Sequence, residues 1–255
     1  MRFQVLSLPS APWDELVERF VRLDEMGIEV GAIADHFVDW TKPTNPWLES
    51  WTLLAGIAAS TTRIRLTTCV SQIPLRNPAM LARQALTLDH ISHGRIEVGL
   101  GTGITVDPSY DMIGIPNWEP RERVARFGEY VTIVGQLLAN EVSSFSGKHY
   151  AVSGAVMNPR PVQSPRPPIM VAAMGPAMIR HAASSADIWN SMSFDADFDS
   201  QLSETAIRIA AADAACHSIG REPRTLQRSY TMFDATARPR GGTIGYYESA
   251  DLFVE

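Results

Sequence analysis

His36 stands directly after Asp35 where an apolar run, Ile28 to Ala34, comes to its end. Histidine suits proton delivery because its pKa lies near working pH, so His36 is a candidate proton donor or acceptor. A hydrogen-bonded structural histidine is the competing reading. Gly175-Pro176 opens a predicted helix, and a helix N-terminus binds phosphate through its free N–H groups and dipole. A simple turn between strand and helix is the alternative there. Cys69-Val70-Ser71 closes a third strand and has no cationic neighbour in the local sequence, so a reactive thiolate is not expected and a plain buried thiol fits. His90, His93, His149, His181 and His217 show no mutual metal-ligand spacing. No metal is expected.

The stretch Pro74 to Gly103 holds the clearest positioning elements. Asn77 caps a helix with Pro78 at its first position, and Met80, Leu81, Ala85 and Leu88 recur at helical spacing. Gly94 ends that helix, Arg95 to Leu100 is a short apolar strand, and Gly99, Gly101 and Gly103 allow close approach of backbone or ligand. With the strand Ile64 to Val70 upstream, this is a βαβ unit. Gly-Leu-Gly-Thr-Gly is not a dinucleotide fingerprint. That motif needs a third glycine at position 104 and a helix directly behind it. Here position 104 is Ile, and Asp107, Pro108 and Pro116 keep the next stretch in a loop.

Strands are also predicted at Phe3 to Leu8, Ile169 to Ala173, Asp187 to Ser191 and Leu226 to Phe233. Helices are predicted with faces at Leu16, Val17, Phe20, Leu23 and Met26, over Trp47 to Ser60, and from Pro120 through Leu138. Two more cover Ala177 to Ser184 and a stretch through Leu202, Ala206, Ile209 and Cys216, stopped near Gly220. Regions 104–119 and 140–168 read as insertions, the latter holding a hairpin around Ser146-Gly147 and a proline-rich surface segment. Residues 234–247 read as a mobile Gly- and Arg-rich stretch, with Ser249 as a cap for a last helix. Seven strands, each followed by helical material, suit an α/β (β/α)8 barrel occupying 1–255 as one domain. Closure needs an eighth strand, expected beyond Glu255 or absent.

Composition bounds the partners. The 255 residues are 45% hydrophobic and carry a net charge of −6, which argues against nucleic acid or an anionic membrane. The two cysteines form no disulfide framework. The N-terminal Met1 to Leu6 is too short for a signal h-region, and no apolar run approaches ~18 residues. A cytoplasmic location is expected.

Four groups of residues resemble the bacterial luciferase-like monooxygenase family, in particular its coenzyme F420 (deazaflavin) branch. They are Asp35-His36-Phe37; Asn77-Pro78-Ala79 with Arg83-Gln84, Thr87-Leu88-Asp89 and Ser92 to Arg95; Gly147 to Tyr150 with Pro159, Pro161, Gln163, Pro165 and Pro167 to Ile169; and Ala172 to Pro176 with Ala186 to Asn190. The resemblance implies a TIM-barrel dimer binding F420, or alternatively FMN, at the strand ends. His36 would act on the substrate proton, Asp35 would orient the ring or bond the cofactor, and Trp40 would cover the pocket or merely anchor its loop. Cys69-Val70 is the bond expected to be a non-proline cis peptide, backing the cofactor together with Ser71, Gly101, Thr102 and Gly103. Ala173, Met174, Gly175 and Pro176 would hold its phosphate. Asp89, Arg95, Arg123 and Glu129 read as caps and ion pairs.

Departures narrow the substrate. The branch's sugar-phosphate dehydrogenases carry a Glu where Ile104 stands and a lysine beyond the Asp187 strand, where Asn190-Ser191-Met192 stand. A phosphorylated sugar is therefore not expected. Ile104, Trp40, Met174, Met192 and Phe194 point to a small apolar or aromatic molecule. The expected activity is hydride exchange between F420 and that substrate. A reduced-flavin monooxygenase using O2 and a separate reductase, or a non-catalytic flavin-binding barrel, are the alternatives.

Overall fold

Strands β1 (Gln4–Ser7), β2 (Val30–Ile33) and β3 (Arg65–Thr68) run parallel, with Gln4 opposite Val30 and Val30 opposite Arg65. Every residue of β2 is buried, as a parallel strand covered on both faces requires. Helix α1 (Trp13–Glu25) crosses between β1 and β2 and buries Leu16, Phe20 and Asp24. Asp24 accepts the backbone N–H groups of Thr62, Arg63 and Ile64 and so fixes the approach to β3. Met26 lies outside the helix and is exposed. Helix α2 (Ser50–Ser60) starts three residues later than Trp47, because the Glu49 carboxylate caps it by accepting from Trp51 and Thr52.

These observations come from a computed structural model describing residues 2–195 and 197–232. The described residues fall into two compact units that part between Met170 and Val171. In the first unit, the chain breaks after β3 at a cis Cys69-Val70 bond and resumes as β4 (Ser71–Gln72). Strand β4 turns to a new neighbour, β5 (Val98–Gly101), with Gln72 opposite Gly101. Helix α3 (Pro78–Ile91) joins them, capped by Asn77, whose side chain accepts the Ala79 N–H at 2.9 Å. Leu81, Ala85 and Leu88 are buried, whereas Met80 faces solvent.

Region 104–119 is not wholly irregular: it contains a short helix, α4 (Ser109–Met112). The Asp107 carboxylate accepts the Ser109 N–H at 2.9 Å and nucleates that turn. Helix α5 (Pro120–Ala139) follows, then the antiparallel pair β6 (Val142–Ser146) and β7 (Ala151–Val156). Glu129 of α5 accepts the N–H groups of Lys148, His149 and Tyr150 in the hairpin tip. Asp89 does the same for Val162 and Gln163. Both act as caps for loops.

Strand β8 (Ile169–Ala172) spans the division. The second unit continues through α6 (Pro176–Ser185), β9 (Ile188–Met192), α7 (Phe198–Ser218) and β10 (Gln227–Thr231). Strands β9 and β10 are parallel, with Asn190 opposite Ser229. Helix α7 runs through Leu202, Ala206, Ile209 and Cys216 as predicted, but of these four only Cys216 is buried. Gln201, Ala212 and Cys216 are buried, whereas Leu202 and Ile209 are exposed. Polar anchors decide this orientation: Gln201 reaches the Asp195 carbonyl and the Tyr230 hydroxyl, and Arg208 reaches the Met192 carbonyl at 2.6 Å. Phe233, the 234–247 stretch, Ser249 and any eighth strand lie outside the described residues.

Candidate functional site

Asp35 and His36 leave β2 together but take different partners. The Asp35 carboxylate is buried and receives both guanidinium nitrogens of Arg76 and the Ser71 hydroxyl at 2.8 Å. Ser71 is held in turn by Trp51 Nε1 at 2.8 Å and by Thr68 Oγ1 at 3.0 Å. Arg76 also bonds Glu49. Burial works to lower the Arg76 pKa, but Asp35 and Glu49 outweigh it and hold the guanidinium above its ordinary value. The polar atoms of Asp35 and Ser71 are thus spent on the protein itself.

The residue that fixes the His36 ring is Asp107, not Asp35. His36 Nδ1 lies 2.6 Å from Asp107 Oδ2 and 2.8 Å from Gln72 Nε2. Gln72 Nε2 also donates to Asp107 Oδ2 at 3.1 Å and to the Asp35 carbonyl at 3.0 Å. The Asp107 side chain is fully buried. Burial alone would raise its pKa, but bonds from His36, Ser109 and Gln72 prevail and hold it at about 2. An ionised carboxylate at that distance places the imidazole proton on Nδ1. Nε2 is left as the nitrogen that can take or give a proton.

Behind this pair, the Tyr110 hydroxyl donates to Gln72 Oε1, and Arg123 stacks 4.7 Å over the Tyr110 ring. Arg123 donates to the Thr102 carbonyl at 2.8 Å, the Trp118 carbonyl at 2.7 Å and Asn117 Oδ1 at 2.6 Å. It braces the β5 end and, among the described residues, is neither a helix cap nor an ion-pair partner. Burial raises the Tyr110 pKa against the pull of Arg123. Gly103 has φ +75°, and a Cβ there would collide with Tyr110 Oη and Gln72 Oε1. Its freedom serves this polar cluster.

A pocket of about 260 Å³ opens beside Asp35 and His36, walled by Phe37, Leu75, Arg76 and Gln84 among others. Gln84 Oε1 is buried and has no hydrogen-bond partner among the described residues. The aromatic ring set against His36 is Trp47, edge-on at 6.0 Å, with its Nε1 on the His36 carbonyl at 2.8 Å. Trp40 is half-buried and does not wall this pocket. Gly101 is buried in its pairing with Gln72, and Thr102 is half-buried. Cys69 is half-buried and outside any disulfide.

In the second unit, Ala173 bonds back to the sheet: its N–H donates to Asn190 and its carbonyl accepts Trp189 Nε1 at 2.8 Å. Met174, Gly175 and Pro176 are exposed, and no side chain caps α6. Asn190 donates to Ser229 at 2.9 Å and Thr231 at 3.1 Å and so is engaged within its own sheet. Among the described residues no group of His, Cys, Asp or Glu could hold a metal ion, and no helix is long and apolar enough to cross a membrane.

Sequence reasoning found His36 but missed Asp107, Gln72, Tyr110 and Arg76. Asp107 lies 71 positions from His36, and no spacing rule joins them. One signal was present: a carboxylate, Asp107, stands in the loop just beyond the glycine-rich strand end Gly99 to Gly103.

The sequence model of the luciferase-like monooxygenase family matches residues 1–238. An F420-dependent glucose-6-phosphate dehydrogenase of Kineococcus radiotolerans is 34% identical over 174 residues, which are 68% of this chain and 50% of that protein. The chain spans about half the length of the curated relatives it matches. Among solved structures, an F420-dependent secondary alcohol dehydrogenase with an F420-acetone adduct superposes with a TM-score of 0.77 at 20% identity, over 90% of this chain and 68% of that one. A monooxygenase of Streptomyces bottropensis gives 0.75 at 26% identity, over 95% and 75%. These likenesses show the α/β TIM-barrel fold. With the family match covering nearly its whole length, the chain belongs to the luciferase-like monooxygenase family.

Proposed function

We propose that this protein is an F420-dependent oxidoreductase that exchanges hydride with a small organic substrate, with His36 handling the accompanying proton. The observation that carries this is the His36–Asp107 pair beside the pocket. A buried carboxylate held near pKa 2 fixes the imidazole tautomer and stabilises the imidazolium when Nε2 takes a substrate O–H or N–H proton. In the reverse direction the same nitrogen returns the proton.

The residues present fit a deazaflavin. The main chain turns at Cys69-Val70 between two sheet neighbours, and the glycines that end β5 leave room there for a flat ring to approach the backbone. A bound deazaflavin supplies the hydride acceptor or donor. Val70 and Gly101 to Gly103 are assigned to its ring. In the second unit, taken by itself, the exposed start of α6 at Met174 to Pro176 is a helix N-terminus without a side-chain cap, a feature suited to a phosphate. A homodimer and an apolar or aromatic substrate remain part of this proposal. The relatives named for F420 support the cofactor.

The test is equilibrium binding of F420 and FMN in parallel by fluorescence quenching, with His36→Ala alongside. Tight F420 binding with weak FMN binding supports the proposal. In His36→Ala, binding should persist while turnover falls by about 10²- to 10⁴-fold. Preference for FMN would favour the second reading, a reduced-flavin monooxygenase using O2 and a separate reductase, for which the Streptomyces bottropensis likeness speaks. Unchanged turnover in His36→Ala would refute the proton role.

A further inference from the structure

Gln84 projects from α3 into the wall of the pocket beside His36, and its Oε1 is buried without a partner among the described residues. Buried acceptors are normally matched, and one left open is satisfied when a ligand brings an N–H or O–H. The other acceptors of the wall are taken. Asp35 receives Arg76 and Ser71. Glu49 receives the N–H groups of Trp51 and Thr52 together with Arg76. Leu75 and Phe37 supply apolar surface.

The charge of the wall adds a second constraint. Asp35 and Glu49 face a single guanidinium, that of Arg76, so the wall is net negative while His36 is neutral. A phosphate or carboxylate entering it would meet two carboxylates and an acceptor, with no cation unengaged among the residues that wall the pocket. Such a wall disfavours anions.

We propose that Gln84 Oε1 is a specificity-determining contact, selecting substrates that carry an N–H or O–H donor on an uncharged or cationic apolar body and rejecting phosphorylated ones. This rests on reading the pocket as the substrate side of the His36 site. Glucose 6-phosphate, the substrate named for the Kineococcus radiotolerans relative, would then be a poor ligand here.

The experiment uses the whole chain, with and without F420, and follows tryptophan fluorescence, since Trp47 stands against His36. The probes are benzyl alcohol, benzyl methyl ether and glucose 6-phosphate. The alcohol should bind at least about fivefold tighter than the ether, the size of one neutral hydrogen bond. Gln84→Met should bring the two within about twofold, and Gln84→Glu, which keeps an acceptor, should restore the preference. Equal binding of alcohol and ether by the wild type, tighter binding of the ether, or tighter binding of glucose 6-phosphate would each overturn the proposal. So would a Gln84→Met variant that keeps the preference. Weakened F420 binding in Gln84→Met with the probes unaffected would move the acceptor to the cofactor's own N–H edge and overturn the substrate assignment. Loss of F420 binding by the wild type would defeat the proposed function while leaving the donor preference measurable.

Discussion

Replacing Asp107 by Asn removes the charge that orders the His36 ring while nearly preserving shape. In the folded protein the Asp107 carboxyl sits at about 2 against an ordinary 3.8. At ~1.36 kcal/mol per pH unit, that difference contributes ~2.4 kcal/mol of stability. Because the folded pKa is the depressed one, the contribution is fully present above pH 3.8 and fades as pH falls toward 2. Asp107→Asn should therefore be ~2 kcal/mol less stable than wild type at pH 7, with the gap shrinking below pH 4. Urea unfolding at a series of pH values from 7 to 2.5 measures it. Imidazole nitrogen shifts by NMR give a second readout, since the wild type should hold the proton on Nδ1, whereas in the variant the amide NH2 facing Nδ1 should move it to Nε2. A stability gap that stays constant from pH 7 to 2.5 would refute the reasoning, as would a tautomer unchanged by the substitution.

Arg76→Met should cost roughly 3–5 kcal/mol, because it strands the buried Asp35 carboxylate without its cation; a fall in chemical-unfolding stability below ~1 kcal/mol would show that Asp35 is held by Ser71 alone. Gly99→Ala places a Cβ against the Thr68 carbonyl oxygen, so the variant should lose ~3 kcal/mol or more or fail to fold. Gly175→Ala is the matched control: nothing lies within 4 Å of its Cβ, so thermal stability should stay within ~0.5 kcal/mol of wild type. If residue 175 approaches a cofactor phosphate, F420 affinity should nevertheless drop in that variant, and unchanged affinity would remove Gly175 from the binding site.

Strands β2 and β5 were legible because each is a short apolar run, the first ending just before Asp35 and the second among glycines. Val30–Ile33 falls inside the predicted segment, and Val98–Gly101 overruns the predicted Arg95 to Leu100 by one residue. Helix α3 was legible from Asn77-Pro78, which is local chemistry. The inward face of α7 was not, because side chains with distant partners orient it. Leu202 and Ile209 recur at helical spacing, yet Gln201 and Arg208, one position earlier and so about 100° round the helix, hold an adjoining face against the chain. Hydropathy cannot weigh a hydrogen bond to a carbonyl whose position depends on the fold.

The same limit separates the half of the site that was read from the half that was not. His36 was visible because a strand end fixes where it sits, and its neighbour Asp35 was the obvious partner by sequence. Adjacent residues leaving a strand point to opposite sides, however. Asp35 therefore turns to Arg76 and Ser71, while His36 meets a carboxylate delivered from the turn that begins α4. That turn was read as a loop because of Asp107, Pro108 and Pro116, and Asp107 is the residue that builds it, accepting the Ser109 N–H with one oxygen and facing His36 with the other. One side chain thus shapes the loop and sets the imidazole tautomer. Substitution at 107 should alter both together, so the tautomer readout must be taken in a variant whose α4 turn is shown to persist, for which Asp107→Asn is the choice: its side-chain oxygen can still accept from Ser109.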